Sequence, residues 1–210
     1  YLFSDLWRFK QQQQKHITMP GLFDLESHLV FYRSYHFNHT NVTIHLICIP
    51  IILLSTIAFL TPVTINFGGL INNSNYNLGS LLAWSYGIYY ILLDWQIGLP
   101  AAGVLFSFAH YIKQYYLTLS ETSVPTSNEF VKIAVALHVF SWFAQFYGHG
   151  VHEKRAPALL DNLLQALVLA PFFVAFEIAF FLGYRKDLKK NMDNRAGVLI
   201  RDYIKQKKQT

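Results

Sequence analysis

Five long apolar runs, separated by short polar stretches, organise most of the chain. They cover residues 44–60, 78–93, 97–112, 130–147 and 163–184. Each run approaches the ~20 residues that a helix needs to cross a bilayer, and most charged residues lie between the runs. The pattern predicts an all-α fold, a multi-pass transmembrane helical bundle. A large soluble helical bundle is the alternative, because several runs are shorter than a comfortable span.

An amphipathic segment precedes the first run. Residues 21–36 carry apolar and aromatic side chains at helical spacing with charges between them, which predicts an amphipathic N-terminal helix that lies on the membrane or caps the bundle. The polar residues 38–41 predict a turn.

Residues 1–18 contain a glutamine run without apolar periodicity, and we expect a non-native or disordered leader there. A single membrane-embedded catalytic domain then covers 19–190, followed by a basic tail at 191–210.

The stretches between the runs predict an orientation. If the amino-terminal segment is cytosolic, the uncharged stretch 61–77 is lumenal, and residues 36–45 and 148–161 both face the cytosol. Five full crossings would place the basic tail in the lumen, against the tendency of positive residues to stay in the cytosol. We therefore predict that Pro171 splits the fifth run into a re-entrant hairpin, which keeps the basic C-terminal tail cytosolic.

The composition agrees with a membrane protein and argues against two other classes. Apolar residues make up 53% and charged residues 14% of the chain, against roughly 25% charged in an ordinary soluble domain. The net charge of +5 comes largely from the C-terminal tail and not from a basic stripe interleaved with aromatics, so nucleic-acid binding is not expected. Cys48 is the only cysteine, which excludes an intramolecular disulfide and a thiolate metal cluster.

The chain contains nine histidines, and imidazole is costly in hydrocarbon unless it is paired or bound to a metal. His36 and His45 can face one centre only if the chain turns between them. His149 and Glu153 lie four residues apart and would share one face of a helix that continues through Gly150. Imidazole with carboxylate and no sulfur suits Fe(II), zinc or manganese. The alternative is that these histidines are interfacial or hydrogen-bonded and bind no metal.

Other polar residues in or near the runs have simpler explanations. Arg155 is either a charge at the membrane boundary or a clamp for a substrate carboxylate. His138, in the middle of the fourth run, is predicted to pack in the bundle or to be hydrogen-bonded. The sequence contains no G-x-S-x-G motif, so a serine nucleophile is not favoured.

Two long motifs carry a family resemblance. The first is Phe31-Tyr32-x-x-Tyr35-His36-x-Asn38-x-x-Asn41-x-x-x-His45, and the second is Gln145-Phe146-x-Gly148-His149-x-x-x-Glu153-x-x-x-Pro157-Ala158-Leu159-x-Asp161-Asn162. In this order, and with this apolar spacing between them, they resemble the fungal endoplasmic reticulum 2-hydroxy fatty acid dioxygenases. The resemblance covers roughly residues 20–185.

The resemblance implies an Fe(II)-dependent dioxygenase that shortens 2-hydroxy fatty acids by one carbon, in the α-oxidation branch of sphingolipid long-chain base breakdown. By motif position, it implies His36, His45 and His149 as iron ligands and catalytic residues. Glu153 would be a fourth ligand or a base behind the ligands. The candidate substrate-binding residues are Arg155, Gln145 and Asn41. The expected substrates are the 2-hydroxy fatty acid and O2.

The resemblance also implies the membrane of the endoplasmic reticulum. Lys207 and Lys208 match a cytosolic dilysine retrieval signal, and Asn72 is the Asn-x-Ser/Thr site that the predicted topology places in the lumen. A di-iron hydroxylase or desaturase is disfavoured because the chain lacks repeated H-x-x-H-H boxes. A non-catalytic lipid-binding or scaffold protein of the same membrane is the alternative.

Overall fold

The regular structure is helical in the part of the chain that the computed structural model describes, residues 21–65, 76–157 and 162–208. Its α-helices are α1 (Leu25–Tyr35), α2 (His39–Leu60), α3 (Leu78–Leu93), α4 (Trp95–Thr118), α5 (Ser127–Tyr147), α6 (Ala170–Phe181) and α7 (Lys186–Lys207). Two π-helical segments, Gly148–Glu153 and Leu164–Leu169, continue α5 and precede α6. Within these ranges the all-α prediction is confirmed. The predictions for residues 1–18 and for Asn72 concern residues outside these ranges, and so does Asp161 of the second motif.

Several helices have the length and composition of membrane spans. His39–Leu60, Ser127–Glu153 and Leu164–Phe181 are long and apolar enough to cross a bilayer, and Leu78–Leu93 is apolar but shorter. Helix α5 exposes large apolar side chains, among them Phe140 at 70% and Phe143 at 69%. An exposed apolar surface of this kind suits lipid better than water.

Helix α1 is covered by the C-terminal helix α7. Arg33 pairs with Asp193 at 3.0 Å, and Arg195 pairs with Glu26 at 2.8 Å. The helix predicted over residues 21–36 therefore forms, beginning at Leu25, but most of its side chains are buried. Protein covers much of its surface.

The predicted hairpin at Pro171 is wrong. The chain is continuously helical from Leu164 to Phe181, and Pro171 lies in the first turn of α6. Proline is tolerated there because its missing N–H would have no partner in an ordinary first turn. Side-chain contacts hold both ends of this stretch of the chain. Gln165 bonds to His28 of α1, and Arg185 pairs with Asp94 between α3 and α4.

The turn before the first span lies slightly earlier than predicted. The chain is non-helical only at residues 36–38, and α2 already begins at His39. Asn38 causes this early start, because its side-chain oxygen accepts from the backbone N–H of Thr40 at 2.9 Å and of Asn41 at 3.3 Å. Such an N-cap satisfies amide groups that a helix start leaves unpaired. His45 consequently lies in the second turn of α2.

Candidate metal centre

Three buried histidine rings meet at the end of the bundle. The centroid of His36 lies 4.6 Å from that of His45 and 5.1 Å from that of His149, and the last two centroids are 4.8 Å apart. Their side chains are only 5%, 2% and 4% exposed. The structure thus brings His149 next to His36 and His45, from which it is separated by more than a hundred positions in the sequence.

Backbone carbonyls hold two of these rings. Nδ1 of His36 lies 2.8 Å from the carbonyl oxygen of Tyr32, and Nδ1 of His45 lies 2.9 Å from that of Asn41. A ring that donates Nδ1–H to a carbonyl is fixed in one tautomer and keeps the lone pair of Nε2 for a metal. His149 is less constrained, since its buried Nδ1 has no hydrogen-bond partner in the described chain.

The spacing of the rings fits one metal ion after a small contraction. One nitrogen from each ring lies within 4.8 Å of the other two. Three nitrogens bound to one ion at ~2.1 Å would lie about 3 to 3.5 Å apart. The rings therefore need to move inward by roughly 1 Å, a shift that side-chain rotation can supply.

Burial keeps the first of these rings neutral. The pKa of His36 is held well below its usual value by desolvation, and the neighbouring His45 and His149 lower it further. A neutral imidazole is the form that binds a metal. Burial likewise raises the pKa of the Tyr32 phenol, whose ring stacks on His36 with centroids 4.2 Å apart. Tyr32 consequently keeps its proton.

Glu153 is not among the residues whose side-chain atoms lie within 4.8 Å of one another, which are the three histidines. Its carboxylate accepts from the backbone N–H of Phe37 at 3.0 Å and of Asn38 at 3.2 Å. It also accepts from Nδ2 of Asn41 at 2.9 Å. Both oxygens are thus bonded to the turn that separates His36 from α2. The prediction that Glu153 is a metal ligand stays a prediction, and this geometry favours a positioning role.

The backbone at Gly148 passes close to the side chain of Asn41, which explains why this position is a glycine. A Cβ at this position would lie 2.4 Å from Oδ1 of Asn41. Asn41 is completely buried and links α2 to Glu153, so glycine lets the π-helical segment pack directly against α2. A π-helical turn is a frequent feature of functional sites. Here it presents His149 and Glu153 to the same region.

Arg155 contacts aromatic rings. Its guanidinium carbon lies 3.5 Å from the ring centroid of Tyr35 and 4.4 Å from that of Tyr203. It also donates to the carbonyl oxygen of Ser34 at 2.7 Å. These contacts join the segment after His149 to α1 and α7. A role as carboxylate clamp stays a prediction for Arg155, as a role in substrate binding does for Asn41.

Two adjoining cavities open beside the histidines. The smaller, which we call the histidine cavity, has a volume of about 40 Å³ and is lined by the three histidines together with Tyr32, Gln145 and Gln165. The larger, the apolar cavity, has a volume of about 320 Å³ and runs along α2 between α3, α5 and the helical segment Leu164–Phe181. Both cavities share the residues Ile49, Trp142, Gln145 and Ala166.

The walls of these cavities contain few polar groups. His138 lies in the apolar cavity, and its Nε2 accepts from the indole N–H of Trp142 at 3.0 Å, which confirms the hydrogen-bonded interpretation. Gln145 lines both cavities, and its role in substrate binding stays a prediction. Gln165 was missed by the sequence analysis, although a glutamine inside a predicted span is itself a signal of function.

A helical bundle with membrane-type spans, and three buried histidines that could hold a metal ion beside an apolar cavity, indicates a class of membrane protein with a candidate metal site. Within that class, the chain belongs to the family described as 2-hydroxy-palmitic acid dioxygenase Mpo1-like, which matches residues 22–182. It is 40% identical over 174 residues to the 2-hydroxy-palmitic acid dioxygenase MPO1 of Saccharomyces cerevisiae, covering 83% of this chain and 90% of that protein. No solved structure matches the chain. The predicted family is confirmed.

Proposed function

We propose that this protein is a non-haem Fe(II) dioxygenase that converts 2-hydroxy fatty acids into fatty acids one carbon shorter. The observation that carries the proposal is the cluster of three buried histidines beside a cavity suited to an acyl chain, in a chain 40% identical to a 2-hydroxy-palmitic acid dioxygenase. The reaction balances without another reductant. One hydroxy acid and one O2 give the shorter acid, one CO2 and one water.

The donor set supports iron. Three neutral imidazoles without a thiolate suit Fe(II), zinc or manganese, and zinc has no redox chemistry to offer O2. His36 and His45 would bind through Nε2, and His149 through either free nitrogen. When bound, Fe(II) supplies a Lewis acid that orients the hydroxy acid and a redox centre for O2.

The apolar cavity accommodates the acyl tail. Its wall follows α2 from Ile49 to Leu60, a rise of ~16 Å at about 1.5 Å per residue. A sixteen-carbon chain extended at about 1.2 Å per bond, as in an extended backbone, spans roughly 18 Å. Each buried methylene contributes about 0.8 kcal/mol. Such a cavity anchors long chains and tolerates differences in their length.

The same arrangement excludes water from the carboxyl end of the substrate. Tyr32, Trp142 and Ala170 line the histidine cavity together with the three rings. A tail lying in the apolar cavity fills the space they share and leaves the carboxyl and hydroxyl groups at the histidines. The chain thus binds and orients the substrate through its tail while its head meets the metal centre.

The proposed location is the endoplasmic reticulum membrane, with the site and the C-terminus facing the cytosol, where the enzyme acts in sphingolipid long-chain base breakdown. The basic helix α7 packs on α1, at the end of the bundle that carries the histidines. Positive residues tend to remain on the cytosolic side of a membrane. That tendency supports a cytosolic centre.

The experiment is an oxygen-consumption assay on detergent-purified, iron-loaded protein with 2-hydroxypalmitate. We expect O2 uptake, CO2 release and pentadecanoate formation in equal amounts, and loss of all three in His36→Ala, His45→Ala and His149→Ala. Retained turnover in any two of these variants would reject the ligand set. A wild-type protein that binds fatty acid but neither binds iron nor consumes O2 would instead be a lipid-binding or scaffold protein.

A further inference from the structure

Besides Nδ1 of His149, three buried polar atoms of residues that line the histidine cavity lack hydrogen-bond partners among the described residues. They are Oη of Tyr32, Nε2 of Gln145 and Oε1 of Gln165. Their side chains are 4%, 8% and 3% exposed. A buried polar atom without a partner costs free energy, so a set of three around one cavity points to a ligand that completes their hydrogen bonds.

The amide of Gln165 is held in one orientation. Its Nε2 lies 2.5 Å from Nδ1 of His28, to which it donates, and its backbone N–H donates to Oδ1 of Asn162 at 3.1 Å. With the amide nitrogen engaged by His28, the group that Gln165 offers to the cavity is its oxygen. An amide oxygen can only accept a hydrogen bond.

The other two atoms are donors. A protonated phenol donates through its O–H, and an amide nitrogen donates through its N–H groups. The cavity wall therefore presents two donors and one acceptor. A 2-hydroxy acid presents the complementary set, because its carboxylate accepts at two oxygens and its hydroxyl group can donate one hydrogen bond.

We infer that Tyr32, Gln145 and Gln165 recognise the head group of the 2-hydroxy acid. Tyr32 and Gln145 donate to the carboxylate, and Gln165, oriented by His28, accepts from the 2-hydroxyl group. The inference rests on the proposed function and deepens it, because it identifies the residue that selects 2-hydroxy acids over ordinary fatty acids. An unsubstituted fatty acid has the same tail but leaves Gln165 unpaired, and a site built around a substrate hydroxyl rejects analogues that lack it.

The test compares ligands that differ only at carbon 2. Dissociation constants of 2-hydroxypalmitate, 2-methoxypalmitate and palmitate are measured by displacement of a fluorescent fatty acid, for wild type and for Gln165→Met. Methionine preserves the length of the side chain and removes its acceptor. Leu169→Met, at a fully buried position four residues further along, is the matched control.

In the wild type we expect 2-hydroxypalmitate to bind at least about tenfold more tightly than 2-methoxypalmitate, the change in binding expected from one buried hydrogen bond. Gln165→Met should reduce this ratio several-fold while leaving the affinity for palmitate nearly unchanged, and Leu169→Met should keep the wild-type ratio. Because each ratio is taken within one protein, a smaller folded fraction does not alter it.

Two results would overturn the inference. Equal wild-type binding of the hydroxy and methoxy acids would mean that Gln165 does not accept from the hydroxyl group. An unchanged ratio in Gln165→Met would assign the discrimination to other groups. Either result, with normal turnover of 2-hydroxypalmitate by the wild type, leaves the proposed function intact, whereas absence of wild-type turnover rejects the function itself.

Discussion

Replacing Glu153 distinguishes a positioning residue from a metal ligand. The carboxylate accepts from the N–H groups of Phe37 and Asn38 and from the side chain of Asn41. It thereby fixes the turn between His36 and α2. A hydrogen bond to a charged group contributes about 1.5 to 3 kcal/mol, and breaking a buried charged network costs about 3 to 5 kcal/mol. We expect Glu153→Ala to lower the free energy of unfolding by an amount within that second range.

Glu153→Gln is the sharper variant. Its remaining oxygen can still accept from Phe37, but its amide nitrogen would face the donors of Asn38 and Asn41. We therefore expect a loss of about 1.5 to 3 kcal/mol, the contribution of one bond to a charged group. Iron affinity should fall by about 10- to 100-fold, as is typical when a group behind the metal ligands is replaced.

The assay is thermal unfolding in detergent together with Fe(II) titration. Glu121→Gln, which changes an exposed carboxylate in the loop between α4 and α5, is the control and should leave both quantities unchanged. A Glu153→Gln protein with wild-type stability and no iron binding would refute the positioning role. It would show that the carboxylate binds the metal directly.

Three further predictions concern packing, the tail and the metal. Gly148→Ala places a Cβ 2.4 Å from Oδ1 of Asn41, and we expect it to lower the free energy of unfolding by about 1 to 3 kcal/mol in denaturation experiments. The control Gly150→Ala, whose Cβ has open space, should lower it little. Ala166→Phe narrows the junction of the two cavities and should shift substrate preference in turnover assays toward shorter acyl chains; Leu163→Phe, at an exposed position, should not. Chelation of the bound metal should lower the midpoint of thermal unfolding by several degrees, because a ligand at about 100 times its Kd stabilises the folded state by roughly 2.7 kcal/mol. Added Fe(II) should restore the midpoint. An unchanged midpoint would contradict a metal bound to the folded state.

The sequence predicts the helices well because long apolar runs leave few alternatives. Helix α3 matches the predicted run 78–93 at both ends. Helices α2 and α5 begin earlier than the first and fourth apolar runs because capping side chains extend them. Asn38 caps α2, and Thr126 with Glu129 forms a capping box for α5. Apolar periodicity does not record such caps, so helix boundaries are less predictable than helices.

Pro171 is a position where the rule that proline interrupts a helix gave a wrong prediction. A proline inside an apolar run indicates a break, yet the preceding π-helical segment lets Pro171 occupy the first turn of α6. Hydropathy alone cannot show that a helix changes its hydrogen-bond register. The cytosolic position of the basic tail stays a prediction. After the helix ends, Arg185 pairs with Asp94 at the junction of α3 and α4.

The candidate site was only partly predictable from the sequence, because several of its contacts depend on tertiary packing. Histidine spacing and motif position identified His36, His45 and His149, which the structure brings together. Gln165 belongs to no motif that was recognised, and its relation to His28 depends on contact between segments 137 residues apart. Side-chain orientation, as in the stacking of Arg155 on Tyr35, likewise depends on tertiary packing that residue types alone do not specify.

The most direct test of the central claim is the iron content of detergent-purified protein, compared between wild type and His45→Ala after loading with Fe(II) under the same conditions. If His36, His45 and His149 jointly bind one ion, wild type retains a single iron per chain after desalting and the variant retains little or none. Equal iron retention by the two proteins, or none in either, would contradict the account.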